Sequence, residues 1–212
     1  MRVLIVQYDN RNMTDQPHLI SLMKRNDLYA KKHDYSYYFV TETHFDVPAY
    51  WLKVLIVKHY LLQGFDIVIW IDTDAVIHNF DMRVEDLFTG DEFFIYSSDN
   101  PLWHSPFNAG VFLVKRSMQS IQLMEDWIGL YNANLWRKEN NQWVTSEAWA
   151  EDAFEQGSFV NQILPKYSKT GFLKKVDWKI LQSPYPLADS FTLHFPGPYK
   201  LNIPIYENSQ LV

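Results

Sequence analysis

The sequence predicts an α/β domain with a mostly parallel central sheet and helices on both faces. Three features lead there. The stretch Asp66-Ile67-Val68-Ile69-Trp70-Ile71-Asp72 is apolar between its two end carboxylates, as in a parallel strand covered on both sides. The elements before it alternate strand and helix, the order that right-handed crossovers convert into neighbouring parallel strands. The chain has 212 residues, 47% of them hydrophobic, enough for one full core and too few for two ordinary domains.

Element by element, residues 2–8 read as the first strand. Val3 to Val6 are consecutive aliphatics that run into the polar cluster Asp9-Asn10-Arg11-Asn12. Leu19, Leu22, Met23 and Leu28 recur at helical spacing across residues 17–33, and Pro17 suits a first helical turn. Residues 35–40 are aromatic and β-branched, hence a second strand. Residues 50–62 repeat the helical pattern and stop at Gly64. After the central run, strands are expected at 93–96 and 109–114, a serine-capped helix at 117–132 and a mainly helical stretch at 148–164. Beyond Pro165 the chain is expected to be loop-rich, with one more strand at 191–195. No repeat or linker divides it, so residues 1–212 are expected to form a single domain, whether alone or within a longer protein.

Composition removes several function classes. A formal charge of −6, with no basic run beyond Lys174-Lys175, makes nucleic acid a poor partner. The absence of cysteine removes disulfides, thiolate metal sites and cysteine nucleophiles, and is compatible with a reducing compartment. The opening residues lack the basic lead and the length of a secretory signal, and no stretch approaches the ~20 apolar residues of a membrane span. A cytoplasmic location is therefore expected; nothing in the residues encodes an oligomeric state. Eight Trp, thirteen Tyr and fourteen Phe suit a carbohydrate site, because aromatic faces stack on sugar rings, although most of them are expected in the core.

The strongest local signal is Ile71-Asp72-Thr73-Asp74-Ala75. At the carboxyl end of a central strand these side chains reach the crevice where open α/β sheets bind ligands. In an extended segment residues i and i+2 point the same way, so both carboxylates can reach one oxygen-seeking cation, Mg²⁺ or Mn²⁺, whose shell phosphates commonly complete. With seven glycines the chain has neither G-x-G-x-x-G after its first strand nor a G-x-x-x-x-G-K-[ST] loop. An acidic protein that binds a diphosphate without such a loop needs a cation. A second group lies at His194-Phe195-Pro196-Gly197-Pro198-Tyr199-Lys200, where an imidazole, a glycine and a lysine offer a third ligand and a phosphate clamp.

Taken in order, Trp51-x-Lys53, Ile71-Asp72-Thr73-Asp74-Ala75, Phe107-Asn108-Ala109-Gly110-Val111-Phe112, Glu155-Gln156 and His194-Phe195-Pro196-Gly197 resemble the blocks of GT-A-fold glycosyltransferases. The nearest types are the α-galactosyl, α-xylosyl and α-mannosyl transferases of fungi and plants. The closing His-x-x-Gly-x-x-Lys is similar to the glycogenin and galactosyltransferase group, and the chain's size resembles the glycosyltransferase domains of large algal (chlorella) viruses. The blocks span roughly residues 1–200.

The resemblance implies a Rossmann-like GT-A fold and a metal-dependent enzyme that moves a sugar from a UDP-sugar to a glycan or glycoprotein acceptor. Asp72, Asp74 and His194 would ligate Mn²⁺ (or Mg²⁺). Lys200 and the Gly197 backbone would hold the diphosphate. Lys53 would lie near the nucleotide or its phosphate, and Thr73 falls in the same binding group. Val6, Gln7 and Tyr8 would frame the base, with Tyr8 stacking on uracil. Asn108 would line the donor-sugar pocket, and Glu155 and Gln156 would flank the reacting carbon. Two positions depart from the family pattern: its Asn-Thr-Gly reads Asn108-Ala109-Gly110, and its alanine before the last glycine is Pro196.

The resemblance implies retention at the anomeric carbon, with no strong base required; inversion would require a carboxylate base, for which Asp152, Glu155 and Asp99 are candidates. Residues 103–107 and 136–149 are candidate aromatic walls for the acceptor. Two rival readings exist. Asp72-Thr73-Asp74-Ala75-Val76 also spells the D-x-D-x-[TV] of haloacid-dehalogenase-type phosphatases, but that motif belongs on a first strand, and Gly90-Asp91 is not followed by the further acid such enzymes carry. The other rival is a non-catalytic sugar-nucleotide-binding module, against which the intact Asp72, Asp74 and His194 argue.

Overall fold

The structure is a computed structural model and describes residues 1–209. Its centre is a six-stranded sheet built from β1 (Val3–Tyr8), β2 (Ser36–Val40), β3 (Ile67–Ile71), β5 (Phe94–Ser97), β6 (Val111–Lys115) and β9 (Leu173–Val176), in the order β2-β1-β3-β6-β5-β9. β1 runs parallel to β2 and β3, and β5 parallel to β9. β6 alone is antiparallel to its neighbours β3 and β5, so the sheet is parallel on both sides of one reversed strand.

Alternation along the strands divides the core. Leu4, Val6, Val68 and Trp70 pack with α2 (Ala49–Leu62) and α3 (Met118–Ile128), whereas Val3, Ile5, Ile67, Ile69 and Ile71 pack with Tyr29 and Ala30 of α1 (Pro17–Lys32). All of β3 is buried, as a strand covered on both faces must be. Gly64 ends the turn after α2 at φ +87°, a conformation that strains any residue with a Cβ. The serine cap of α3 is a reciprocal box in which Ser117 and Ser120 each satisfy the other's backbone N–H.

Several elements differ from the sequence expectation. α3 ends at Ile128, short of residue 132. Residues 148–154 are turns, and the helix begins only at α4 (Glu155–Ser158), passes through a π-helical segment (Phe159–Ile163) and ends in α5 (Leu164–Tyr167). Gly157 lets the preceding turns pack onto the helix, since a Cβ there would meet the backbone of Ala150 at 2.6 Å. The stretch after Pro165 is more ordered than expected, holding β9, α6 (Trp178–Leu181), β10 (Thr192–His194) and α7 (Ile203–Ser209).

Two small sheets complete the fold: a hairpin of β7 (Arg137–Glu139) and β8 (Gln142–Val144), and an antiparallel pair of β10 with β4 (Ala75–Ile77). The second pair carries the far end of the chain back to the segment that follows β3. Among the described residues, no helix is long and apolar enough to cross a membrane.

Candidate active site

Asp72 lies one residue beyond β3, where the chain leaves the large sheet. The extended geometry expected for Asp72 and Asp74 is replaced by a turn: the Ala75 N–H donates to the Asp72 carbonyl at 2.9 Å, and β4 then starts. Short as it is, the turn is fixed on several sides. The Asp72 N–H donates to the Gly110 carbonyl at 2.7 Å, the Gln7 amide donates to the Asp72 carbonyl at 3.1 Å, and the Trp70 indole donates to Asp72 Oδ1 at 2.7 Å.

His194 arrives through the β4–β10 pairing, which sets it opposite Ala75. The Phe195 N–H donates to the Asp74 carbonyl at 2.9 Å, locking the register next to the acid. The imidazole is buried, with Nε2 3.4 Å from Asp74 Oδ1 and Nδ1 2.7 Å from Gln182 Oε1. It lies flat on Gly110: a Cβ there would come 2.7 Å from Nδ1 and 2.8 Å from Nε2. The glycine of Asn108-Ala109-Gly110 is therefore required by the space the ring takes. Lys200 reaches the other oxygen of Asp74, Oδ2, at 3.2 Å.

On the opposite side Lys53, buried on α2, pairs with Asp72 Oδ1 at 3.2 Å and Glu155 Oε1 at 3.0 Å, and donates to the Ala109 carbonyl at 3.2 Å. Burial lowers the affinity of this ammonium for its proton, but the Asp72 and Glu155 carboxylates more than offset that and hold its pKa above the ordinary lysine value. Burial raises the Glu155 pKa against the opposing pull of Lys53. Glu155 Oε2 is buried and has no hydrogen-bond partner among the described residues. Burial also raises the Asp99 pKa, against hydrogen bonds from the Asn100 backbone and the Asn108 side chain. For Asp74 burial acts upward too, but its neighbours His194 and Lys200 hold its pKa below the usual carboxylate range.

Two cavities meet at the acids. The larger, of about 630 Å³, is lined by Asp72, Asp74, Asp99, Asn108, Gly110, Glu155, Gln156, His194 and Gly197, with Tyr50, Trp103, Trp149 and Phe154 as aromatic walls. The smaller, of about 280 Å³, runs along the end of β1 past Tyr8, Asn10, Arg11, Trp70 and Thr73, and shares Tyr50, Lys53, Asp72 and Asp74 with the first.

The structure thus gathers most of the residues singled out in the sequence, and leaves three aside. Val6 is wholly buried in the core. Gln7 is buried and engaged with Asp72, Asn26 and Tyr37, so neither side chain reaches a cavity. Asp152 faces the π-helical segment, accepting from Asn161 at 2.7 Å and Gln162 at 3.2 Å. Of the candidate aromatic walls, Trp103 and Trp149 reach the larger cavity, whereas Phe107 and Trp136 are core residues.

Sequence reasoning missed three neighbours of the site. Asp9 binds Arg11 and accepts from the Thr73 hydroxyl at 3.0 Å, which brings the Arg11 guanidinium to the edge of the smaller cavity. The polar cluster after β1 marked a loop but carried no sign of this pairing. Gln182, on the turn after α6, had no local signal at all.

The donor atoms suit a divalent cation. One ligand atom each from Asp72, Asp74 and His194 lies within 4.8 Å of the others. Ligands about 2.1 Å from a Mg²⁺-sized ion lie at most about 4.2 Å apart, close to the spread seen here. Two carboxylates and one imidazole fit Mn²⁺ or Mg²⁺.

The sequence model of the galactosyl transferase GMA12/MNN10 family matches residues 1–95, the segment from β1 to the start of β5 that includes Asp72 and Asp74. No curated protein matches the sequence significantly. Among solved structures, the chain is similar to a glycosyltransferase involved in glycosylation of the major capsid of PBCV-1, with TM-score 0.72, 14% identity and complete coverage of both chains. It is also similar to the glycosyltransferase GlyE of Streptococcus pneumoniae TIGR4, with TM-score 0.56, 12% identity, and 100% of this chain aligned to 63% of that one. A Drosophila β1,4-galactosyltransferase 7 variant, solved with manganese, UDP-Gal and xylobiose, aligns at TM-score 0.52 and 12% identity over 94% of this chain and 73% of its own. The fold is that of GT-A glycosyltransferases.

Proposed function

We propose that this protein is a metal-dependent glycosyltransferase that moves a sugar from a UDP-sugar to a hydroxyl of a glycan or glycoprotein. One observation carries the reading: Asp72, Asp74 and His194 converge where the two cavities meet. A nucleotide-sugar has that shape, with a nucleoside on one side of a diphosphate and a sugar on the other. Family match and fold both point to glycosyl transfer, and the Drosophila relative was solved with manganese and UDP-Gal.

In this reading the smaller cavity takes the nucleoside, with Tyr8 offering an aromatic face, and the larger takes the donor sugar and the acceptor. Mn²⁺ or Mg²⁺, bound by the two acids and His194, supplies Lewis-acid stabilisation of the departing diphosphate. Lys200, within 3.2 Å of Asp74, is placed to turn its ammonium onto the same phosphates. Asn108, Glu155 and Gln156 line the sugar side. The family resemblance favours retention. Were the reaction inverting, Asp99 and Glu155 would be the candidate bases, since both carboxyl groups line the same cavity.

A phosphatase reading gains nothing from the fold, because Asp72 follows the third strand of the chain rather than the first. The test is a thermal melt with Mn²⁺ plus UDP, against Mn²⁺ plus a simple phosphate ester, followed by a screen of UDP-, GDP- and CMP-sugars for slow hydrolysis. Stabilisation by Mn²⁺ with UDP and release of UDP from one sugar donor are expected. A protein indifferent to manganese and to every sugar nucleotide would overturn the assignment.

A further inference from the structure

Gln182 lines neither cavity that holds Asp72 and Asp74, yet it is buried to 2% exposure directly behind His194. Its orientation is dictated by what surrounds it. The side-chain nitrogen donates to the Val111 carbonyl at 3.0 Å and the Asn108 carbonyl at 3.3 Å. Carbonyl oxygens only accept, so turning the amide over would set its oxygen against two more oxygens. Gln182 Oε1 is therefore the atom 2.7 Å from His194 Nδ1, and an oxygen there requires a proton on that nitrogen.

A competing acceptor stands on the other side of the ring. Asp74 Oδ1 lies 3.4 Å from Nε2 and, unopposed, would hold the proton of a neutral imidazole on that nitrogen. The ring has little freedom to evade the choice, since it is buried and lies against Gly110. The shorter contact belongs to Gln182, and its oxygen is aimed by the two backbone anchors.

We infer that Gln182 is a positioning residue that keeps the proton of neutral His194 on Nδ1, leaving the Nε2 lone pair directed at the space between Asp72 and Asp74. The consequence for cation binding rests on the metal reading of the site; the tautomer itself does not. In the absence of Gln182, the Nε2–H tautomer bonded to Asp74 becomes the competitor, and a cation must displace a proton from the nitrogen it needs.

The test keeps these two layers apart. Long-range ¹H–¹⁵N spectra of the whole protein, with ¹⁵N-labelled histidines titrated to neutrality and no metal added, report which ring nitrogen carries hydrogen. The His194 signals are identified by their loss in His194→Asn. Wild type is expected to show a protonated Nδ1 and a bare Nε2, and Gln182→Met to shift toward protonated Nε2. Finding Nε2–H in the wild type overturns the inference without recourse to any variant. Mn²⁺ affinity, read from the EPR signal of free manganese, is expected to weaken about 10- to 100-fold in Gln182→Met, the usual effect of losing a ligand's outer partner. A folded Gln182→Met that binds Mn²⁺ as tightly as wild type also overturns it. A wild type with the expected tautomer and no affinity for Mn²⁺ would overturn the metal reading, and with it the inferred role in cation binding.

Discussion

Gly110 shows how one residue without a side chain shapes the site. The imidazole of His194 occupies the volume a Cβ would need, and the Gly110 carbonyl accepts from the Asp72 N–H, so the same residue touches two of the three candidate ligands. Gly110→Ala is expected to push the ring away from the acids and weaken Mn²⁺ binding at least tenfold, while overpacking costs about 1–3 kcal/mol of stability. Manganese titration together with urea unfolding checks both; an alanine variant with unaltered Mn²⁺ affinity would show that the ring relocates without consequence. Asp72, Asp74 and His194 were legible in the sequence because acids at a strand end and a histidine before a Pro-Gly turn are local patterns. Gln182 was not, because the carbonyls that orient it lie 74 and 71 residues earlier in the chain. The burial of Val6 and Gln7 was hidden for a related reason: the end of β1 was identified, but which side chains there are buried depends on the strands beside it.

At the scale of elements, the turns at 148–154 depend on tryptophans from elsewhere. The indoles of Trp51 on α2 and Trp136 before β7 both donate to the Ala153 carbonyl, at 2.7 and 3.0 Å, and Trp127 of α3 donates to the Glu155 carbonyl at 2.8 Å. Together they pin the start of α4, and therefore Glu155, against Lys53. Each indole on Ala153 covers for the other, so losing one leaves the carbonyl satisfied and losing both leaves it bare. Trp51→Phe and Trp136→Phe are thus expected to be non-additive, the double variant losing about 1–3 kcal/mol beyond the sum of the singles. A urea double-mutant cycle measures that difference, and additivity within about 0.5 kcal/mol would sink the idea. The long periodic elements, α1, α2, β1 and β3, could be read from the sequence because burial imposes their pattern. β4 and β9 could not: Ala75–Ile77 is three residues long, and Leu173–Val176 has two lysines at its centre. Both owe their strand character to a partner strand, and no local periodicity records that.

For the molecule as a whole, the site is a long-range closure. Asp72 and Asp74 follow the third strand and His194 ends the tenth, and β10 is attached to the site's other half by its short pairing with β4. A short pair of strands outside the main sheet is the kind of unit that opens locally before the core does. A cation bound to Asp74 and His194 would add a link across that pairing, since both residues must be in place to bind it. If it binds only the native state, Mn²⁺ at about a hundred times its dissociation constant stabilises the fold by about 2.7 kcal/mol. For a chain of this size that corresponds to a rise in melting temperature of roughly 5–11 °C. The gain should not be evenly spread. Amide exchange is expected to slow at His194 and Phe195, whose N–H groups donate to the Ser183 and Asp74 carbonyls, because opening there breaks the metal site. Amides in the middle of β3, buried on both faces, open only on global unfolding, which also breaks the site, and should slow by the same factor, whereas amides that exchange through openings leaving the site intact should not slow. Hydrogen-exchange mass spectrometry with and without Mn²⁺ distinguishes the cases. Protection confined to surface acids far from β10, or absent altogether, would mean that the cation does not bridge the two ends of the chain.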